Sequence, residues 1–462
     1  MGVALLETLA NFAVNLKYED LPQDTVSKAN DCFFDLIGCY YGAVKKDENL
    51  EIVKSITSWN ASQEASAWGF PYKTGHAEAA LVMGYLGYNL EYDDGISVAG
   101  HWGSASIPAT YLGVIKAGGS GKQFIAALIA AYEVGTRISR IFAPRLLKKH
   151  VHFPCTMGAF AAATGYGKAI GFNSSQLSGA LSLAGLFPVG AYSTAVAGAK
   201  GKSLYSGWPN YLGINACRLA DVGLIGDPDI LEHDYGFGNA LGLGPVTFEQ
   251  AEAASRDLGD HYLFMQVYFK RYPCCRWLHA PVSAVESLMQ THGFKCGDIE
   301  KITIGGPEFL LMYNTHTGLT SKVACQYSMP YSVAAAMFFG KLGVDEYEQE
   351  ARDVLCNEDF IDRIEVETNS LLDAKFPGSF EVEVNVHLKN GLCFKRIEGM
   401  PWGPESPPSK DELIDKFTAL TKDILSVQTQ QDWVNLYRAG IETPGVFEKV
   451  QELLGLDVSV KL

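Results

Sequence analysis

The chain has 462 residues, of which 47% are hydrophobic and 19% charged, and its formal net charge is -15. This length predicts two or three packing units, and this composition argues against an intrinsically disordered protein or a coiled coil. Because so acidic a surface repels nucleic-acid phosphates and anionic lipids, we expect neither a nucleic acid nor a membrane as a partner.

The first part of the chain, residues 1–267, is predicted to form helices joined by glycine-rich turns. Its first residues lack the basic stretch of a signal peptide, and apolar residues recur at helical spacing between Leu6 and Leu16. Residues 157–170 and 177–184 are rich in Gly and Ala, and large apolar residues interrupt both runs. Since small residues let helix axes approach closely, we expect both runs at the centre of a helical bundle.

The pattern changes near residue 268. Residues 380–388 alternate between apolar and polar, and Asn390-Gly391 separates them from a second short run, which predicts a β-hairpin. Because helical segments lie between the predicted strands, residues 268–403 are predicted to form a separate α+β unit. Helical periodicity resumes within residues 404–462, after a proline-rich stretch.

Ten cysteines are scattered along the chain, and no two of them form a C-x-x-C pair. They are interpreted as buried free thiols in a reducing compartment, because neither a zinc site nor a disulfide framework fits their spacing. The most apolar stretch, residues 124–131, is too short to cross a bilayer. We therefore expect a soluble, cytoplasmic protein.

Two segments in the first part of the chain place titratable groups among small residues. Glu91, Asp93 and Asp94 follow an apolar helix and precede His101. A solvated helix end explains the acids equally well, but His101 favours an acid/base group that a carboxylate orients. His152 precedes a predicted helix, whose N-terminal dipole suits an anion and lowers the pKa of the imidazole. A surface-loop histidine is the alternative.

Two further segments carry lysines. Lys202 lies among small residues that would let it approach a ligand, although most lysines are simply exposed. Lys270 and His279 lie at the predicted junction between the two units, and clefts between domains are favoured ligand sites. No cluster of carboxylates or cysteines at metal-ligand spacing accompanies His150 and His152, so no metal site is predicted.

Together these segments predict a metal-free site in which His and Lys side chains act on carboxylates. Proton abstraction beside a carboxylate gathers negative charge, which ammonium groups and N–H donors stabilise in a dry cleft. Histidine can move the proton. Elimination, decarboxylation and epimerisation share this requirement.

In their order along the chain, the motifs resemble the MmgE/PrpD family of dehydratases, decarboxylases and epimerases. The matching positions are residues 35–38, 92–94, 121–127, 132–137, 158–160, 328–331 and 407–417, with His152, Lys202, Gly207, Lys270, Tyr272, Pro273 and His279. Three positions depart from the family pattern. Glu91 stands where family lyases typically carry Asp, Gly95 where they carry Thr, and Tyr205 where a His is often found. The departures predict a reshaped pocket wall and a changed substrate.

The resemblance implies a mainly α fold. A large all-helical domain would be built from both chain ends, residues 1–267 and 404–462, with residues 268–403 inserted as an α+β lid domain. It also implies a homodimer, a small di- or tricarboxylic acid as substrate, and no cofactor. The implied catalytic residues are His101, His152, Lys202 and Lys270. The residues expected to bind substrate are Glu91, Asp93, His279 and Tyr331.

These expectations lead to one main functional hypothesis and two alternatives. The main hypothesis is a cofactor-independent lyase, a dehydratase or decarboxylase, that works through a carbanion-like intermediate. An isomerase or epimerase would use the same His and Lys groups but return the proton elsewhere. A binding or assembly protein that retains the fold without catalysis is the third possibility.

Overall fold

The protein is described by a computed structural model covering residues 4–45, 47–187, 190–310, 315, 319, 321–356, 359–376 and 378–459. Within these ranges helices predominate and the strands are few, so the predicted mainly α fold is confirmed. The helices before residue 260 are α1 (Leu5–Asn15), α2 (Gln23–Val44), α3 (Asp47–Thr57), α4 (His76–Asn89), α5 (Trp102–Lys116), α6 (Gly121–Lys148), α7 (Phe153–Ala169), α8 (Ser174–Ala184), α9 (Ser193–Val196), α10 (Leu204–Asp221), α11 (Phe237–Ala240) and α12 (Phe248–Ser255). The later helices are α13 (His279–His292), α14 (Lys322–Gln326), α15 (Met329–Phe339), α16 (Gln349–Cys356), α17 (Ser370–Asp373), α18 (Lys410–Thr421), α19 (Val427–Ala439) and α20 (Val446–Leu454).

The centre of the helical part is formed by α4, α5, α6, α7 and α10, which pack on one another. Glycines allow these helices to approach closely. A Cβ on Gly213 of α10 would lie 2.6 Å from the backbone nitrogen of Ala163 in α7, and one on Gly158 would lie 2.7 Å from Pro209. Almost all of α7 is buried. The prediction that the Gly/Ala-rich runs lie at the centre of a bundle is therefore confirmed for α7.

The strands form one four-stranded sheet and two short ladders. The strands are β1 (Ala65–Ser66), β2 (Lys73–Thr74), β3 (Gly95–Ile96), β4 (Val267–Tyr268), β5 (Ile299–Gly306), β6 (Ile364–Thr368), β7 (Val382–Leu388) and β8 (Cys393–Glu398). The sheet order is β6-β5-β7-β8, in which β5 runs parallel to β6 and antiparallel to β7. The predicted hairpin is confirmed: β7 and β8 are antiparallel, and Gly391 between them takes a φ of 86°.

The C-terminal helices pack on the N-terminal ones. Helix α18 lies along α2, where Phe417 stacks on Phe34 and Lys416 forms a 2.7 Å ion pair with Asp35. Tyr437 of α19 also stacks on Phe34, with ring centroids 4.0 Å apart. The division into residues 1–267, 268–403 and 404–462, and the role of the sheet-containing part as a lid, stay predictions.

The cysteines and the helix hydropathy test two further expectations. All ten cysteines are free, and seven of them are buried. The interpretation as buried thiols is wrong for Cys356, at the end of α16, and for Cys393, on the edge strand β8, because both are exposed; Cys296 is half-buried. In the described ranges, none of the helices combines the length and the apolar character needed to cross a membrane.

Candidate active site

The loop between α4 and α5 positions the predicted acidic residues. Glu91 and Val98 take positive φ values of 55° and 52°, and β3 within the loop pairs with β4 far along the chain. This path turns the carboxylates of Glu91, Asp93 and Asp94 inwards, and each residue is at most 2% exposed. The alternative of a solvated helix end is therefore wrong.

Glu91 contacts both predicted catalytic lysines. The Nζ of Lys270 donates to Glu91 Oε1 at 2.8 Å and to its backbone oxygen at 3.0 Å. The Nζ of Lys202, on the turn before α10, forms an ion pair with Oε2. Burial and the neighbouring Lys270 lower the pKa of Lys202. The three side chains form one buried Lys–Glu–Lys cluster.

His101 presents an unprotonated ring nitrogen. It lies immediately before α5, and its Nδ1 is 2.8 Å from the backbone oxygen of Asp94. Because a carbonyl oxygen can only accept, Nδ1 carries the proton and Nε2 keeps a free lone pair. Burial, with the charge of Lys270, lowers the pKa of His101 to about 3. The imidazole is neutral at pH 7 and can accept a proton at Nε2.

His152 has the opposite arrangement. It precedes α7, and its Nδ1 accepts a hydrogen bond from the backbone N–H of Cys155 at 3.3 Å. Because an amide N–H can only donate, the neutral ring carries its proton on Nε2, which lies 3.5 Å from the Tyr88 hydroxyl. Burial lowers its pKa well below the usual value, and its ring stacks on Tyr205. The surface-loop alternative is therefore wrong.

The two histidines line the same small cavity, which has a volume of about 60 Å³. That volume holds roughly four waters, so a polycarboxylate would have to move the walls apart. Other side chains on the wall are Tyr88, Glu91, Tyr268, Arg276 and Tyr327. Ser97, Val98, Arg276 and Trp277 also border an outer cleft of about 700 Å³. The cavity thus adjoins a wider opening.

Asp93 and Asp94 support the cavity from behind. Asp93 accepts a hydrogen bond from Ser104 and lies 3.7 Å from His101 Nδ1. Asp94 accepts from the Gly103 N–H at the start of α5 and from the Tyr132 hydroxyl. Burial raises the pKa of Asp93 to about 6 and that of Asp94 to about 7. These contacts hold the loop and the His101 ring in place.

Two predicted residues lie apart from this cavity. His279 is fully buried, and its ring packs edge-on against Tyr272. Tyr331 is also buried, and its hydroxyl donates to the backbone oxygen of Glu346 at 2.6 Å. Of the predicted site residues, the structure therefore places His101, His152 and Glu91 on the cavity wall. Asp93 contacts His101 behind the wall, and Lys202 and Lys270 contact Glu91 there, whereas His279 and Tyr331 are not on the wall.

Sequence reasoning missed several residues of the wall. Tyr88, Tyr268 and Tyr327 line the cavity, and the Nζ of Lys202 lies 3.7 Å from the ring centroid of Tyr88. Arg276 lies in the same segment as Lys270 and His279, and this position is the one sequence signal that could have indicated it. In the part of the chain that the structure describes, no three His, Cys, Asp or Glu side chains form a group that could hold a metal ion.

Comparisons with known proteins cover nearly the whole chain. The MmgE/PrpD N-terminal domain matches residues 7–249, and the MmgE/PrpD C-terminal domain matches residues 272–438. A cis-aconitate decarboxylase-like protein, oryM, of Aspergillus oryzae is 23% identical over 92% of both chains. Human cis-aconitate decarboxylase is 24% identical over 94% of this chain and 91% of its own. The cis-aconitate decarboxylase of Aspergillus terreus is 28% identical over 61% of this chain and 59% of its own. With both domains matched, the chain belongs to the MmgE/PrpD family.

Proposed function

We propose that the protein is a lyase that removes carbon dioxide or water from a small di- or tricarboxylic acid. The observation that carries this proposal is the pair of histidines on one cavity, with a free lone pair on His101 Nε2 and a proton on His152 Nε2. Relatives that match most of the chain are named as a cis-aconitate decarboxylase and a cis-aconitate decarboxylase-like protein, which supports the lyase class.

In a dehydration, His101 Nε2 would take the proton from the carbon beside a carboxylate. The electron pair left on that carbon would form the double bond as hydroxide leaves, and His152 Nε2–H would protonate the hydroxide to give water. In a decarboxylation, the carbon–carboxylate bond would break, its electron pair would stay on carbon, and His152 would protonate that carbon. Lys202 and Lys270 would stabilise the negative charge in both reactions.

All the groups that this chemistry requires are side chains of the chain itself, so we propose that the reaction uses no cofactor. Proton transfer falls to the two histidines, and charge stabilisation falls to the two lysines. We also retain the homodimer as a proposal, which light scattering on the purified protein would test.

The lyase proposal is tested by incubating the protein with cis-aconitate, 2-methylcitrate and related acids and following each by proton NMR. We expect loss of carbon dioxide or water from at least one of them. His101→Gln and His152→Gln should each lower kcat/KM at least 100-fold, because general acid–base groups contribute about that much. His150→Gln is the matched control, since His150 is exposed and does not line the cavity. No elimination from any acid would contradict the proposal.

An isomerase or epimerase is the second candidate. A base and an acid on one cavity could also remove a proton and return one to another position, and the Glu91 departure alters the cavity wall. Incubation in deuterated water separates the two activities. Deuterium uptake at a substrate carbon without elimination would favour the isomerase.

A further inference from the structure

The guanidinium group of Arg276 is buried but only partly paired. Arg276 is 5% exposed and begins the short 3₁₀ turn Arg276–Leu278. Its Nη1 donates to the backbone oxygens of Phe269 at 3.2 Å and Pro401 at 2.7 Å, which occupy both hydrogens of that nitrogen. Its Nε has no hydrogen-bond partner among the residues that the structure describes. The edge of the guanidinium formed by Nε and Nη2 is therefore unpaired there.

Among the described residues, no acidic side chain forms an ion pair with this cation. In the residues that the structure describes, the partners of Arg276 are two neutral carbonyls and the face of Tyr268, whose ring centroid lies 4.3 Å from Cζ. A buried cation with an unsatisfied donor is costly unless a ligand completes its hydrogen bonds. The Nε–Nη2 edge matches a carboxylate, which can accept two parallel hydrogen bonds from it.

Arg276 also stands where a substrate would pass. It lines the cavity that holds His101 and His152, and it borders the outer cleft. The two lysines differ from it, because Glu91 already contacts both of them. Arg276 is thus a cation on this wall that has no carboxylate partner within the described chain.

We propose that Arg276 binds a carboxylate of the substrate at the outer end of the cavity and so selects acids that carry a second carboxylate. This inference rests on the proposed function, and it adds the residue that fixes the substrate's far end. It predicts that a monocarboxylic acid, or an acid whose second carboxylate is an amide, binds weakly.

The test compares the binding of maleate and of its monoamide, maleamate, to the full chain by isothermal titration calorimetry. We expect the wild type to prefer maleate about 10- to 100-fold, the range for a hydrogen bond to a charged group. Arg276→Gln should remove that preference, and Arg276→Lys should keep part of it. Arg271→Gln is the matched control, because Arg271 is partly exposed and pairs with Glu286; it should leave the preference unchanged.

A purely structural role for Arg276 would give a different result. It would lower the melting temperature of Arg276→Gln without changing the ratio of the two dissociation constants. An unchanged ratio in the folded variant would overturn the inference, as would a wild type that binds maleate no better than maleamate. A lost preference in Arg276→Gln, together with no turnover of any acid by the wild type, would support Arg276 as the carboxylate-binding residue while contradicting the lyase proposal.

Discussion

The phenol oxygen of Tyr268 lies 2.5 Å from the position that a Cβ would take on Gly95. The two residues are paired in the β3–β4 ladder, and the Tyr268 side chain is buried, so its ring has little room to move away. The backbone oxygen of Gly100 lies 3.0 Å from the same Cβ position. Family lyases typically carry Thr at the position of Gly95, as the sequence resemblance implies. The smaller residue here makes room for the Tyr268 hydroxyl, so one departure from the family pattern has a physical reason.

Gly95→Ala should therefore destabilise the protein. We expect a loss of about 1–3 kcal/mol in the free energy of unfolding, because forcing an extra methyl group into a filled interior typically costs this much. Urea unfolding followed by circular dichroism measures the loss. Gly297→Ala is the control, since a Cβ there meets nothing within 4 Å, and we expect a change within about 0.5 kcal/mol. Equal effects of the two substitutions would contradict the close approach.

The ring protonation of the two histidines is a second prediction. Nitrogen-15 NMR of histidine-labelled protein at pH 7 should show His101 protonated at Nδ1 and His152 protonated at Nε2, because their hydrogen-bond partners are a carbonyl and an amide N–H respectively. His101→Gln and His152→Gln assign the signals by their disappearance. The same tautomer at both rings would remove the basis for assigning one as base and the other as acid.

Local sequence patterns predicted those parts of the molecule that depend on nearby residues. The β7–β8 hairpin follows from alternation around Asn390-Gly391, and the position of His152 before α7 follows from the small-residue run after it. The contact of Glu91 with Lys270 joins residues 179 apart in the chain, and no local pattern carries it. The burial of Asp94 depends on donors from α5 and α6, which only the packed structure brings together.

Arg276 is another residue whose role local sequence could not predict. Its residue type is visible in the sequence, but its burial and its unpaired Nε depend on carbonyls from residues 269 and 401. Conversely, the family resemblance named His279 and Tyr331, which are buried apart from the cavity wall. A motif can thus place a residue near a site without determining where its side chain points.

A third prediction concerns pH. Burial raises the pKa of Asp93 to about 6, above the value near 4 of an unfolded chain. The folded state then binds more protons than the unfolded state between pH 4 and 6, so this carboxyl's contribution to stability is present at low pH and is lost as the pH rises. The amide of Asp93→Asn is neutral at every pH, so the variant does not lose this stability as the pH rises. Relative to the wild type, its free energy of unfolding should rise by about 3 kcal/mol between pH 4 and 7.

Urea unfolding at several pH values measures this difference. Asp221→Asn is the control, because Asp221 is exposed and its substitution should give a curve parallel to that of the wild type. If the curve of Asp93→Asn also ran parallel to that of the wild type, the Asp93 carboxyl of the wild type would have an ordinary pKa and would already be ionised at pH 5.

The last prediction concerns the Lys–Glu–Lys cluster. Glu91→Gln leaves the buried ammonium groups of Lys202 and Lys270 without a carboxylate, and breaking a buried ion pair in this way costs about 3–5 kcal/mol. Glu365→Gln is the control: it removes an exposed partner of Lys301, and exposed pairs contribute at most about 1 kcal/mol. Urea unfolding at pH 7 should separate the two variants clearly.

The pH dependence of stability distinguishes two causes of the loss in Glu91→Gln: the lost ion pairs, or a poor fit of the Gln amide in the space of the carboxylate. Burial already lowers the pKa of Lys202, and removing Glu91 lowers it further, whereas an unfolded lysine keeps a pKa near 10.4. The unfolded variant therefore binds more protons than the folded one below that value, and its stability should rise with pH. The wild type shares this rise wherever burial alone deprotonates Lys202, so we expect the gap between Glu91→Gln and the wild type to narrow over the pH range in which the wild type keeps the Lys202 proton and the variant has lost it; unfolding is therefore followed from pH 5 to pH 10. A gap that stays constant would mean that Glu91 supports the cavity by its shape and not by its charge.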